Sequence, residues 1–204
     1  MKDPEIRREL RARLTNAYPA DQGTLVIDEL GLCSGLVRAD LVVVNRSLTA
    51  FEIKSDSDTR ARLREQVRIY SRVFDNATIV VGPRHIEAAM QQVPAWWGIE
   101  CVRRCGPTAV RFSVVRAPKT NPSLDPHALA QLLWRDEGVE ILVSRQLLRK
   151  SSPHPRRILW KTLVDSLSIE ELQDAVRTCL RARPQWRSAQ RRTSGGGMYR
   201  PFAK

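Results

Sequence analysis

Residues 38–54, RADLVVVNRSLTAFEIK, decide the fold of this chain. Two short apolar runs, DLVVVN and LTAFEI, flank Asn45-Arg46-Ser47, which is turn chemistry, so the segment reads as a β-hairpin. Asp40 opens the first strand, and Glu52 and Lys54 close the second. Side chains alternate faces with period two along a strand, so Glu52 and Lys54 project from the same side. If the turn centres near Arg46, Asp40 stands opposite Glu52, and directly opposed side chains start only about 5 Å apart at Cβ. Two carboxylates that close repel unless something positive lies between them, and hard oxygen ligands select Mg²⁺ or Mn²⁺. Acids at strand ends are common, so the setting matters. Leu41–Val44 is continuously apolar, as is Ala50-Phe51, which predicts a hairpin buried inside a sheet. Charged groups at the ends of buried strands call for a reason to be there.

Outward from the hairpin, residues 4–18 are rich in Glu, Arg and Leu and predict a helix ending near Tyr18-Pro19. Thr24–Ile27 leads into Asp28-Glu29-Leu30-Gly31 as a further strand, and Cys33-Ser34-Gly35 reads as a loop. After Lys54, Ser55–Thr59 is full of helix N-cap residues. Leu63, Val67, Tyr70 and Phe74 follow at the spacing of one buried helix face. Ala77–Val81 predicts a buried strand, residues 84–92 a short helix, and the stretch from Trp96 to Arg116 a turn and two more strands. A mostly antiparallel start followed by a helical crossover indicates an α/β or α+β sandwich. Residues 117–126, APKTNPSLDP, read as a linker or domain edge. Beyond them, helices are expected near 126–136, 139–149, 156–166 and 168–182, the last with Ser168 and Glu171 as a capping box. The tail around Gly195-Gly196-Gly197 is expected to be disordered. The organisation is thus a core over 1–118, a helical basic extension over 119–186 and a basic tail over 187–204.

The 204 residues carry a net charge of +12, unevenly placed. Residues 1–144 hold 20 basic and 18 acidic side chains, whereas residues 145–204 hold 14 and 4. A polyanion partner is the natural reading, nucleic acid before a membrane surface because the basic segment lacks a wide apolar stripe, and a solubilising tail without a specific partner is the plainer one. No apolar run approaches 18 residues and the first residues are charged, so a cytoplasmic protein is expected. Cys33, Cys101, Cys105 and Cys179 form no C-x-x-C pair, and their spacing does not favour an iron–sulfur cluster.

The order helix–strand–strand–strand–helix–strand, with an acid on one hairpin strand and E-x-K on the next, resembles the PD-(D/E)XK nuclease superfamily over roughly residues 4–116. The string DELG…RADLVVVN…EIKSDSDT…VVG…WWGI is similar to a small group of bacterial and phage proteins of unassigned role within it. Gln66 and Tyr70 add a Q-x-x-x-Y element similar to that of RecB-type nucleases. The resemblance implies a restriction-endonuclease-like α/β fold, an αβββαβ core with a mixed sheet flanked by helices, plus a helical C-terminal extension. It implies a deoxyribonuclease in which Asp40 and Glu52, helped by the Ile53 carbonyl and by Glu29, bind Mg²⁺ or Mn²⁺. Lys54 would orient or deprotonate the attacking water, and Gln66 and Tyr70 would hold metal-bound water or the nucleic-acid backbone. Ala39 stands where the pattern has proline, and Asp28 could take the place of Glu29.

Each residue also has a plainer reading. Lys54 could simply pair with Glu52 or Asp40, and Tyr70 could be core. Arg60, Arg64, Arg68 and Arg72 could follow a phosphate backbone or form a solvated face. Trp96 and Trp97 could stack bases, with core packing the simpler role. His85, His127 and His154 are scattered and suggest no role. A nucleic-acid-binding module without cleavage is the alternative function. RNA fits the same reading as DNA, two-strand cutting would call for a homodimer, and the absence of a Walker-type loop leaves any ATP-driven unwinding to a separate helicase or ATPase.

Overall fold

The structure is a computed structural model that describes residues 3–18, 23–54, 62–106, 109–149 and 154–184. In chain order it runs α1 (Asp3–Ala17), β1 (Leu25–Leu32), β2 (Val37–Val44), β3 (Leu48–Lys54), α2 (Leu63–Val73), β4 (Asn76–Val81), α3 (Ile86–Gln92), β5 (Gly98–Arg104) and β6 (Val110–Arg116). Helices α4 (Pro126–Ala130), α5 (Arg135–Ser144), α6 (Arg156–Ser166) and α7 (Ile169–Ala182) follow. The protein is therefore α/β, and its first six elements have the αβββαβ order that the hairpin and its neighbours imply. The N-cap run Ser55–Thr59, Arg60 and the glycine-containing tail lie outside the described residues.

Six strands form one mixed sheet in the order β1-β2-β3-β4-β5-β6. The β1/β2, β2/β3 and β5/β6 pairs are antiparallel, while β3/β4 and β4/β5 are parallel. Parallel neighbours need a crossover, which α2 supplies between β3 and β4. The β2/β3 ladder pairs Leu41 with Phe51 and Val44 with Leu48, so the turn centres on Arg46, and Asp40 and Glu52 lie just past the end of the ladder. Asn45 closes that turn by accepting from the Ser47 amide through its side chain. Gly98 starts β5 where any Cβ would collide with Thr78 and Pro118.

Period-two alternation divides the core between two faces. On one, Ile6, Leu10 and Leu14 of α1 pack on Val26, Leu41, Val43, Phe51, Ile53 and Val80. On the other, Leu63, Val67, Tyr70 and Phe74 of the α2 segment join Ile27, Val42, Ala50 and Ile79. The same cluster takes in Leu129, Leu142, Leu163, Leu172 and Leu180, so α4–α7 share the core of the sheet. The proline-rich connection is pinned as well. Buried Asn121 donates through Nδ2 to the carbonyls of Ser71 and Phe74, and Asp125 caps α4 while pairing with Arg72. Asp75 fastens α7 to the hairpin, accepting from the Leu48 amide at 2.6 Å and from Gln173 at 2.5 Å. Ser168 and Glu171 form the expected capping box on α7.

The alternation slips once on each of two strands, at the same level. On β1, Ile27 and Leu30 face the same cluster three residues apart; on β2, Ala39 and Val42 do so. The β1/β2 register nevertheless holds, with Asp28 opposite Leu41 and Leu30 opposite Ala39. Between those pairs Glu29 stands level with Asp40, and Glu29 has φ 56, a left-handed conformation uncommon for a side chain with a Cβ.

Candidate carboxylate site

Glu52 projects from β3 toward α2 and is 1% exposed. Its Oε1 accepts from Lys54 Nζ at 2.8 Å and from Gln66 Nε2 at 2.6 Å, and its Oε2 accepts from the Tyr70 hydroxyl at 2.5 Å. Lys54 reaches it because the strand repeat puts both side chains on one face. Gln66 and Tyr70 reach it because four residues make about one turn of α2. The Tyr70 ring is also core, stacked on Trp97 with centroids 5.6 Å apart and edge-on to Phe74 at 5.1 Å. Tyr70 is thus both core residue and site residue, and Trp97, fully buried, packs in the core.

Burial raises the proton affinity of Glu52 to about 7, with the neighbouring Asp40 charge adding to the rise and Lys54 opposing it. Burial likewise lifts Asp40 above the usual aspartate range, although Arg7 and the Ile53 amide pull it down. The Tyr70 hydroxyl is driven up by burial and by the Glu52 charge, so it acts as a donor. Asp40 accepts from the Ile53 amide through Oδ2 at 2.8 Å, which ties the two hairpin strands at the site.

Arg7 is the feature that the sequence did not reveal. From α1 its guanidinium contacts Asp40 Oδ1 at 2.7 Å, the Asp40 carbonyl at 3.0 Å and Glu29 Oε1 at 2.7 Å, while its Nε meets Asp3 at 3.3 Å. Arg38, mostly exposed, holds the other Glu29 oxygen at 3.2 Å. Asp28 pairs with Arg11. The cation between the facing acids 29 and 40 is therefore an arginine supplied by the side chain of a helix 33 residues before Asp40. Nothing in the local pattern around Arg7 marks it.

Asp40 and Glu52 with the Ile53 carbonyl are hard oxygen donors of the kind Mg²⁺ and Mn²⁺ prefer. Gln66, whose Nε2 meets Glu52, has a buried Oε1 without a hydrogen-bond partner, so a polar group beside this site is left to be satisfied. The donor chemistry therefore fits a hard ion on two carboxylates. It does not extend to three, since among the described residues no three His, Cys, Asp or Glu side chains are grouped to hold one. Glu29 is drawn aside by Arg7 and Arg38.

The basic residues are less free than their number suggests. Arg183 is buried against Glu137, the Leu132 carbonyl and the Trp134 ring; Arg177 meets Asp75 and Asp174; Arg181 donates to the Asn45 carbonyl. These arginines fasten the C-terminal helices. Arg149, Arg156 and Arg157 are exposed. On α2, Arg64 is exposed, Arg68 pairs with Glu65, and Arg72 pairs with Asp125. Among the described residues no helix is long and apolar enough to cross a membrane.

The chain is 27% identical to protein cII of Enterobacteria phage P4 over 158 residues, which are 78% of this chain and 59% of that protein. It thus spans less than two thirds of the length of that relative. Its fold can be superposed, at a TM-score of 0.37 and 16% identity, on the SPO1766 protein of unknown function from Silicibacter pomeroyi, over 93% of this chain and 94% of the other. The family described as bacteriophage P4 protein cII matches residues 1–194, nearly the full length, and the chain belongs to that family.

Proposed function

We propose that this protein is a Mg²⁺- or Mn²⁺-dependent nuclease that hydrolyses DNA phosphodiester bonds. The observation that carries this reading is Glu52, an almost wholly buried carboxylate whose oxygens are held by Lys54, Gln66 and Tyr70 beside Asp40. A buried acid with raised proton affinity in such company costs stability and so calls for a functional reason. Asp40, Glu52 and the Ile53 carbonyl would hold the ion. When bound, it would lower the proton affinity of water and neutralise charge on the phosphoryl oxygens. Lys54, whose ammonium already holds Glu52, would orient the attacking water. Gln66 offers its free Oε1 to the same water, and Tyr70 fixes the orientation of Glu52. Exposed Arg38 and Arg64 would meet the phosphate backbone, with Arg149, Arg156 and Arg157 further along it. RNA would be held by the same contacts, and cutting both strands would call for a homodimer. The setting proposed is cytoplasmic, with unwinding left to a separate helicase or ATPase.

The test is cleavage of linear, circular single-stranded and supercoiled DNA by EDTA-stripped protein supplied with Mn²⁺. Asp40→Ala with Lys54→Ala should lower the rate by at least about a hundredfold while the circular dichroism spectrum is kept. Unchanged cutting in that double variant would sink the proposal. A second reading, nucleic-acid binding without cleavage, is favoured by one observation: Arg7 already neutralises Asp40 and Glu29. It predicts binding that weakens steeply with salt and no Mn²⁺-dependent product.

A further inference from the structure

Arg7 stands where the two facing acids need a cation. It contacts both of them and is itself steadied by Asp3, one helical turn earlier. Each Asp40 oxygen accepts one hydrogen bond, from Arg7 at Oδ1 and from the Ile53 amide at Oδ2. The Ile53 bond belongs to the hairpin and persists as long as the strands pair. The Arg7 bond depends only on how the start of α1 lies on the sheet. Glu29 would keep a partner if Arg7 withdrew, because Arg38 holds its second oxygen. The site is thus built so that one cation can leave without stranding either acid, provided another takes its place beside Asp40.

We propose that Arg7 is a built-in counter-cation of the Asp40–Glu29 pair, which a divalent ion must displace before Asp40 can serve as a ligand, and that the first turns of α1 are the part that yields. This rests on the metal reading above. A guanidinium and a divalent ion compete for the same oxygen and repel one another, so Arg7 sets how tightly the site takes metal and acts as a positioning residue for Asp40. It also couples ion uptake to the seating of α1, whose Ile6, next along the chain, is buried on the sheet.

The experiment is Mn²⁺ titration of wild-type, Arg7→Gln and Arg7→Lys proteins by calorimetry, with thermal unfolding as a check on folding. Arg7→Gln should bind Mn²⁺ about tenfold tighter or more, and Arg7→Lys, which keeps the charge but loses the fork, should fall between that and wild type. A residue that merely props the site would give the opposite sign. Equal or weaker binding by Arg7→Gln overturns the inference and leaves the metal reading standing. Absence of Mn²⁺ binding by all three proteins takes both down. If Arg7→Gln does not fold, amide hydrogen exchange on the wild type decides: residues 3–17 should exchange faster with Mn²⁺ present, and an unchanged rate overturns the displacement.

Discussion

On the α1 side of the sheet, Asp40 shares a guanidinium with Glu29, and both acids keep some contact with solvent, at 15% and 41% side-chain exposure. On the α2 side, Glu52 is sealed and draws on one ammonium, one amide and one phenol. The two arrangements lie on neighbouring strands and solve the same problem, a carboxylate at the end of a buried hairpin, at different dielectric. Nearer solvent a planar cation forks between two acids, one on each of two strands. In the interior one cation does not suffice to hold a single acid well below neutrality, which is why Glu52 sits at about 7 while Lys54 touches it. The carboxyl poised near neutrality is thus the sealed one.

The largest effect should come from breaking the sealed side. Lys54→Met leaves Glu52 without its cation, and at pH 8 in EDTA the loss of stability should be about 3 kcal/mol. Removing the ammonium pushes the proton affinity of Glu52 further up, so at pH 5 the carboxyl is protonated in the folded variant and the loss should shrink to about 1 kcal/mol. Urea unfolding at the two pH values reads the difference, and a loss independent of pH would mean that Lys54 acts through packing alone.

Glu52→Gln sharpens the same point from the other partner. The folded proton affinity of Glu52 is raised above its unfolded value, so the stability it contributes is whole below the ordinary glutamate range and is lost as pH rises through about 7. Substitution by the neutral amide should therefore help more at pH 8 than at pH 5, by about 2 kcal/mol. The Tyr70 hydroxyl can turn to the Arg38 carbonyl, 3.3 Å away, to make room for the new amide hydrogens. The Lys54→Met, Glu52→Gln pair should fall well short of the sum of the single effects at pH 8, because the residues touch. Additive effects would separate the two side chains energetically and weaken the account of the sealed side.

How much of this was legible beforehand differs between the two sides for a physical reason. Glu52, Lys54, Gln66 and Tyr70 are related by local periods, two along β3 and four along α2, so their meeting could be expected once the crossover placed α2 over β3. That Asp40 and Glu52 end neighbouring strands of one hairpin followed from the turn at Arg46. The contact of Arg7 with Asp40 spans 33 residues and depends on how α1 lies across the sheet, which no period encodes. The fate of the basic C-terminal segment was hidden likewise. Charge counting cannot distinguish Arg183, buried on Glu137, from Arg157, exposed on the first turn of α6, because only packing decides which arginines are spent inside.

The smallest effect tests why the open side is built as it is. Glu29 holds φ 56, a conformation that costs a residue with a Cβ roughly 1 kcal/mol and glycine almost nothing. Glu29→Ala keeps that strain and loses the contacts to Arg7 and Arg38, so it should destabilise by about 1 kcal/mol. Glu29→Gly loses the same contacts but relieves the strain, and should come out within about 0.5 kcal/mol of wild type. Chemical denaturation of the two variants gives the difference directly. Were alanine as well tolerated as glycine, the slip in β1 would not be held by backbone geometry. With the difference present, a chain that could have had glycine at this position has a carboxylate instead, facing Asp40 across an arginine. That choice is understandable only if the side chain, rather than the turn of the strand, is what the position is for.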